Sequence, residues 1–277
     1  MEYKIIADSL CDMTPQLKDR MDIVSIPLTI NMGDKEFTDD DSLDMGGFMS
    51  QMKECSEKIS TASPPALAFQ EAMEKAWNSF VITLSKKLSS TYESAVLGKK
   101  MAEEKGVGDI HIFDTKSAVA GETLVAIKIR ELLQLDLSAE HIVQTVSKFI
   151  DNMKTYFVLE RYNNLINNGR INHLVGQIIS ILKIKLIMGA DGDGGIKLFS
   201  KVRGIDQMIE RLLSYIRGCG RETTGENAVI SHCNNEPLAL KLRDAIERQF
   251  NFKEIFIVPT GGVSSVYADD KVIVFSF

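Results

Sequence analysis

Hydroxyl side chains are crowded into one short stretch of this chain. Ser85, Ser89, Ser90, Thr91 and Ser94 follow the apolar run Phe80-Val-Ile-Thr-Leu84, and Glu93 stands three residues after Ser90. The run has strand character, and the Ser90/Glu93 spacing is that of a capping box opening a helix. Ser89, Ser90 and Thr91 are then expected where free backbone N–H groups and the positive end of a helix dipole point. Such a place suits a phosphate or a carboxylate. The residue chemistry favours anion binding over bond breaking.

Other polar residues sit at the ends of apolar runs: Asp8-Ser9, Thr83 with Ser85, and Asp114-Thr115, while Thr61 lies in the segment Ser60-Thr-Ala-Ser-Pro64, which reads as a loop. Any one of these is as readily a helix cap or turn residue. Several on one edge make a pocket. Arg170, in Asn168-Gly-Arg-Ile171, is open to two readings, an anion contact or a C-cap followed by an ordinary salt bridge, and taken alone the cap is favoured. Lys201-Val-Arg-Gly204 reads as a solvated basic turn, and Asp39-Asp-Asp41 as a solvated acidic one. Asp191-Gly-Asp-Gly lacks the downstream glutamate of a calcium loop and reads as a hairpin turn.

Nucleophilic catalysis finds little support. There is no G-x-S-x-G elbow, and His111, His141, His173 and His232 are tied by spacing to no serine. Neither a phosphate-cradling P-loop nor a G-x-G-x-x-G fingerprint follows a strand.

At 277 residues the chain accommodates one large domain or two smaller ones, with 44% hydrophobic and 25% charged residues. A net charge of −6 argues against a nucleic-acid partner. The four cysteines are scattered, which disfavours a metal site or a disulfide framework. No signal peptide and no span long enough for stable membrane insertion is evident, so a cytoplasmic protein is expected.

Strand and helix alternate through the first half: strands over 3–7, 80–84 and 109–113, an extended run over 22–30, and helices over 64–77, 91–104 and 121–135. Thr14-Pro15 reads as the cap and first position of a further helix. Alternation of this kind gives a parallel sheet with helices on both faces. After about residue 152 the pattern changes. A helix is expected over 174–182, a hairpin from 184–188 and 196–202, short strands over 228–232 and 255–258 around a helix over 237–250, and a strand at the C-terminus. The expected fold class is α/β: a parallel-sheet α/β/α domain over 1–152 and a smaller α+β domain over 153–277.

The ordered set of segments resembles the DegV family of bacterial fatty-acid-binding proteins over essentially the whole length. The matching segments are Ile5-Ile-Ala-Asp-Ser-Leu-Cys-Asp12, Ile26-Pro-Leu28, Ser60-Thr-Ala-Ser-Pro64, Leu88-Ser-Ser-Thr-Tyr92, Phe113-Asp-Thr115, Asn168-Gly-Arg-Ile171, Ile184-Lys185 and Lys201-Val-Arg203. The resemblance implies a long-chain fatty acid enclosed between two domains, with its carboxylate on Thr61 and Ser89. It also implies delivery of the bound acid to a partner fatty acid kinase, with no catalysis by the carrier and no cofactor beyond the bound lipid. An acyl chain of about 16 carbons gains on the order of 10 kcal/mol on burial, at roughly 0.8 per methylene, before losses in ligand freedom.

The chain departs from the family pattern at several places. Ser90 replaces a glycine, Ala62 and Ser63 replace serine and glutamine, and Asn168 replaces a glycine. Near the C-terminus, Tyr267 stands at the family's histidine, and Asp269-Asp-Lys271 at G-P-G. A phenol can donate one hydrogen bond but supplies no cation, and two aspartates facing the head group would oppose it. The expected ligand-binding residues are therefore Thr61 and Ser89, with Ser90, Tyr267 and Arg170 beside them. Two alternatives stand: an enzyme acting on a small phosphorylated or carboxylated substrate at the same anion site, and a binding protein without the transfer role.

Overall fold

A computed structural model of the chain describes residues 2–171 and 184–277. The helix expected over 174–182, and His173, lie outside the described residues. Strands β1 (Lys4–Asp8), β2 (Ile23–Ile26), β6 (Ser79–Thr83) and β7 (Ile110–Asp114) form a parallel sheet in the order β2-β1-β6-β7. Its central strands are apolar on both faces, as a sheet covered on both sides requires. Ile6 and Val81 face helices α3 (Ala66–Ala76) and α4 (Thr91–Glu103), while Ile5, Phe80 and Ile82 face α5 (Ala120–Leu133), against which α6 (Ala139–Asn152) packs. Phe80 is fully buried, and its truncation to alanine should cost roughly 3–5 kcal/mol. Thr14 caps α1 (Pro15–Met21) as expected, its Oγ1 accepting from the Leu17 amide at 3.2 Å.

The second half builds a mixed sheet in the order β10-β9-β8-β13-β11-β12. It comprises β8 (Thr155–Val158), β9 (Ile184–Ala190), β10 (Ile196–Arg203), β11 (Asn227–His232), β12 (Glu254–Pro259) and β13 (Ile273–Ser276). Only β11 and β12 run parallel; the other neighbours are antiparallel. Helices α8 (Gly204–Gly218) and α9 (Glu236–Glu247) cover one face, with Leu212 of α8 and Leu242 of α9 in one cluster with Ile187, Ile230 and Phe275 of the sheet. The other face joins the core of the first half in one continuous cluster that includes Phe113, Leu124, Met188, Val229 and Val274. The hairpin expected at 190–195 is present, with Asp191 Oδ1 accepting from the Asp193 and Gly195 amides.

A third, small antiparallel sheet was not anticipated: β3 (Thr29–Met32) lies between β4 (Lys35–Thr38) and β5 (Ile59–Ala62). It corrects three sequence expectations. The extended run over 22–30 is two strands in different sheets, parted at Pro27, which has no amide to continue a ladder. Thr61 is on a strand, paired with Ile30, and not in a loop. Asp39, directly after β4, is only 5% exposed, so only Asp40 and Asp41 of that triplet are solvated. Likewise Lys201 and Arg203 belong to β10 and form no turn, although both are exposed. The remaining helices, α2 (Met45–Glu54), α7 (Asn163–Asn167) and α10 (Gly262–Ala268), gather around the small sheet and the site described next.

Candidate functional site

The carboxyl end of β6 runs into the serine-rich turn. Ser85 fixes its position: its amide donates to the Ser117 carbonyl at 2.7 Å and its hydroxyl to the Gly194 carbonyl at 2.8 Å, tying the turn to the β9–β10 hairpin. The Ser85 carbonyl then accepts from the Leu88 and Ser89 amides. Ser90 occupies the N-cap position of α4, but the expected capping box is absent, since its side chain makes no bond to the helix. Ser89 does that work: its Oγ accepts from the Thr91 amide at 3.3 Å and lies 2.9 Å from Thr91 Oγ1. The amides of Ser89 and Thr91 are thus already engaged. At these two positions an anion meets hydroxyls rather than free N–H groups.

Across the turn, Thr61 Oγ1 is 2.8 Å from the Tyr267 hydroxyl, and Ser63 Oγ is 2.8 Å from Ser90 Oγ. Arg170 follows the C-terminus of α7, where Asn168 is the C-cap and Gly169 has φ +73°. Its Nε donates to the Leu88 carbonyl at 2.9 Å and another guanidinium nitrogen to the Asn168 carbonyl. The guanidinium carbon lies 5.8 Å from the Tyr267 ring centroid. The C-cap that the sequence suggested precedes Arg170, but no salt bridge follows it among the described residues: its partners there are main-chain carbonyls, and no described carboxylate neutralises it.

Thr61, Ser89, Ser90, Arg170 and Tyr267 all line one cavity of about 170 Å³. That is an order of magnitude beyond the room a single water needs. The cavity lies between the halves: Leu28, Leu84 and Val119 face Phe157, Ile196 and Val274 across it. Two of its polar lining residues bond each other: Thr155 Oγ1 lies 2.7 Å from Ser117 Oγ, and 2.8 Å from Ser276 Oγ behind it, whereas the buried Ser264 hydroxyl has no described partner. Val119 lines the cavity at φ +58°, a strained conformation for a β-branched residue. Lys116 is paired with Asp151 at 2.7 Å. No aspartate or glutamate is among the described lining residues. The result is a mainly apolar cavity in which hydroxyls and a guanidinium gather around Thr61, Ser89 and Tyr267, a polarity suited to a single-chain amphiphile with an anionic head.

The aspartates after Tyr267 do not oppose that head group. Asp269 lies 4.0 Å from the Arg161 guanidinium, and Asp270 lies 3.6 Å from Lys53 and accepts from Asn234 at 3.0 Å. Neither lines the cavity.

A second, larger cleft, about 1010 Å³, is lined by Asp8, Asp12, Asp39, Lys18, Lys53 and other polar groups. Its buried acids are held by the main chain. Asp8 accepts from the Leu84 and Leu10 amides, Asp12 from Gly261, and Asp39 from Gly262, Val263 and the Ser9 hydroxyl. Burial pushes all three carboxyls above their usual range, against the lowering by those donors. Glu122 is pushed well up by burial and then by the nearby Asp8 charge. Among the described residues, no group of three or more His, Cys, Asp or Glu is placed to hold a metal ion. No helix among them is long and apolar enough to cross a membrane.

A family model described as an uncharacterised protein, DegV family, matches residues 2–277. A DegV domain-containing protein of Streptococcus pneumoniae is 33% identical over 275 residues, covering 98% of this chain and 96% of its own. Among solved structures, a DegV-family protein of Ruminococcus gnavus, refined with vaccenic acid, superposes with a TM-score of 0.93 at 33% identity, covering 99% of each chain. The fatty acid kinase B3 protein of Streptococcus pneumoniae, loaded with linoleic acid, superposes with a TM-score of 0.92 at 32% identity, covering 100% of this chain and 99% of that one.

Proposed function

The chain belongs to the DegV family, and on that premise we propose that it binds one long-chain fatty acid in the cavity between its halves, as a carrier without catalysis of its own. The carboxylate takes hydrogen bonds from Thr61 and Ser89, with Ser90 and Tyr267 beside them and Arg170 supplying the nearby positive charge. The division of labour follows the division of the chain near residue 152: the first half brings Thr61, Ser89 and Ser90 to the head group, and the second adds Arg170 and Tyr267 and completes the acyl wall. The observation that carries this reading is the polarity of the cavity, mainly apolar with all five of those residues at its lining and no described carboxylate among them. Burial of the acyl chain supplies the affinity, at roughly 0.8 kcal/mol per methylene. The hydroxyls orient the head group and spare it the cost of an unpaired buried charge.

Relatives support a further step. A similar protein is named as part of a fatty acid kinase system and was loaded with linoleic acid. We extend that role here, as presentation of the bound acid to a partner kinase that phosphorylates the carboxylate. The test is to extract the purified protein with organic solvent and identify the released molecules by mass spectrometry. A stoichiometric fatty acid is expected. A protein that yields none and also refuses added fatty acids overturns the reading.

A further inference from the structure

Helix α10, which carries Tyr267, is gripped at both ends by the small sheet. At its start, Asp39 accepts from the Gly262 amide at 2.8 Å with one carboxylate oxygen and from the Val263 amide at 3.1 Å with the other. The Gly261 amide donates to Asp12 at 2.8 Å. The N–H groups that a helix leaves unpaired at its first turn are thus taken by two carboxylates from the other half of the chain. At its far end, Tyr267 meets Thr61. Asp39 directly follows β4 and Thr61 lies on β5, and both strands pair with β3, so the two grips belong to one rigid element.

The fit at Asp39 is close. A Cβ on Gly262 would stand 2.6 Å from Asp39 Oδ1 and 2.6 Å from a Leu43 methyl. Ser9 holds the carboxylate in turn, its hydroxyl donating to Asp39 Oδ2 at 2.7 Å while accepting from the Leu28 amide at 3.1 Å. A carboxylate with three donors and no freedom to turn fixes the rise and rotation of the short helix that it caps.

We propose that Asp39 is a positioning residue for the head-group site: by clasping the first turn of α10 it sets where the Tyr267 hydroxyl stands over Thr61. This inference rests on the fatty-acid reading for its role, but the placement of Tyr267 is a property of the protein alone. The substitution Asp39→Asn keeps the shape of the side chain while turning an N–H₂ group toward a backbone N–H, which removes one acceptor and opposes one donor.

Two measurements test it. In the first, fatty-acid affinity is titrated for the wild type, D39N, Y267F and the double variant. D39N should weaken binding about tenfold where Tyr267 is present and less than about twofold on top of Y267F, because the clasp acts through that hydroxyl. An equal loss in both backgrounds, or none in either, overturns the proposal. In the second, 3-fluorotyrosine is placed at position 267 in ligand-free protein, and its ¹⁹F resonance should move or broaden in D39N. An unchanged resonance overturns the proposal even if the chain takes no fatty acid, so the two readings fail separately. If D39N does not fold, S9A, which removes only the hydroxyl holding Asp39 Oδ2, replaces it in both measurements with the same expected directions.

Discussion

Ser63 Oγ and Ser90 Oγ lie 2.8 Å apart, and each stands where the family pattern has another residue, glutamine and glycine. The two departures answer one another across the mouth of the cavity. Ser90 has φ −81° and ψ 11°, a conformation open to any residue, so the turn does not need a glycine there.

Restoring the glycine should therefore loosen the mouth. S90G leaves the Ser63 hydroxyl to water and frees the backbone of the unfolded chain, a loss of about 0.5 kcal/mol at an exposed cap position. Thermal unfolding should report that small decrease, and fatty-acid titration a weakening of a few-fold. Tighter binding in S90G would show that the serine pair obstructs the head group.

Thr61 and Tyr267 are the central pair of the site, joined at 2.8 Å although 206 residues apart in sequence. On the proposed reading, a carboxylate entering the site takes Thr61's donor and leaves Tyr267 free to bond the second oxygen. Thr61→Val keeps the shape and removes the hydroxyl, and the charged acceptor then lacks a bond of roughly 1.5–3 kcal/mol. Titration should show affinity falling about 10-fold or more. Methyl esters of the same acids should discriminate far less between wild type and T61V.

Arg170 holds the serine turn to the end of α7 through the Leu88 and Asn168 carbonyls. Arg170→Lys retains the charge but not the fork that reaches both carbonyls. Affinity for a fatty acid should fall several-fold, and hydrogen exchange of the Leu88–Thr91 amides should quicken. If exchange is unchanged while affinity falls, the guanidinium acts on the ligand alone.

How far the sequence foretold this site depends on how each part is built. Strands β1 and β6 announce themselves because both faces are buried and their residues form short apolar runs, and the edge strand β7 keeps enough of that pattern in Ile110, Ile112 and Phe113 to be read as well. The start of α4 is legible from its hydroxyls, although the capping partner is Ser89 rather than Ser90. The small sheet is hidden. In β5 only Ile59 is buried, and Ser60, Thr61 and Ala62 carry a loop-like composition. In β4 only Phe37 is even partly covered. Helix α10 is hidden as well, being short, opened by glycines and held by groups more than 200 residues away in sequence. Asp39 therefore looked like a solvated acid: nothing in its neighbours Asp40 and Asp41 marks it as the member that turns inward. Ser89, Ser90 and Arg170 stood out by their chemistry, whereas the pairing of Thr61 with Ser89 and the notice taken of Tyr267 came from family resemblance; the fold brings all five to one cavity.

Asp8 gives the stability of the fold an unusual dependence on pH. Its carboxyl is fully buried, and burial raises its pKa from 3.8 to about 6, against the lowering by the Leu84 and Leu10 amides. Between those values the folded chain holds a proton that the unfolded chain has released. Stability from this group is therefore complete below about pH 3.8 and is lost as pH rises through about 6. The full difference is on the order of 3 kcal/mol. Asp12 and Glu122, also raised by burial, act in the same sense. Asp22, Asp40 and Asp109 are lowered by their partners, and they withdraw stability only in stronger acid. Denaturant unfolding should accordingly show a stabler protein at about pH 5 than at about pH 7.5, and Asp8→Asn should flatten part of that slope. A slope that persists in full in D8N would move the effect from Asp8 to Asp12 and Glu122.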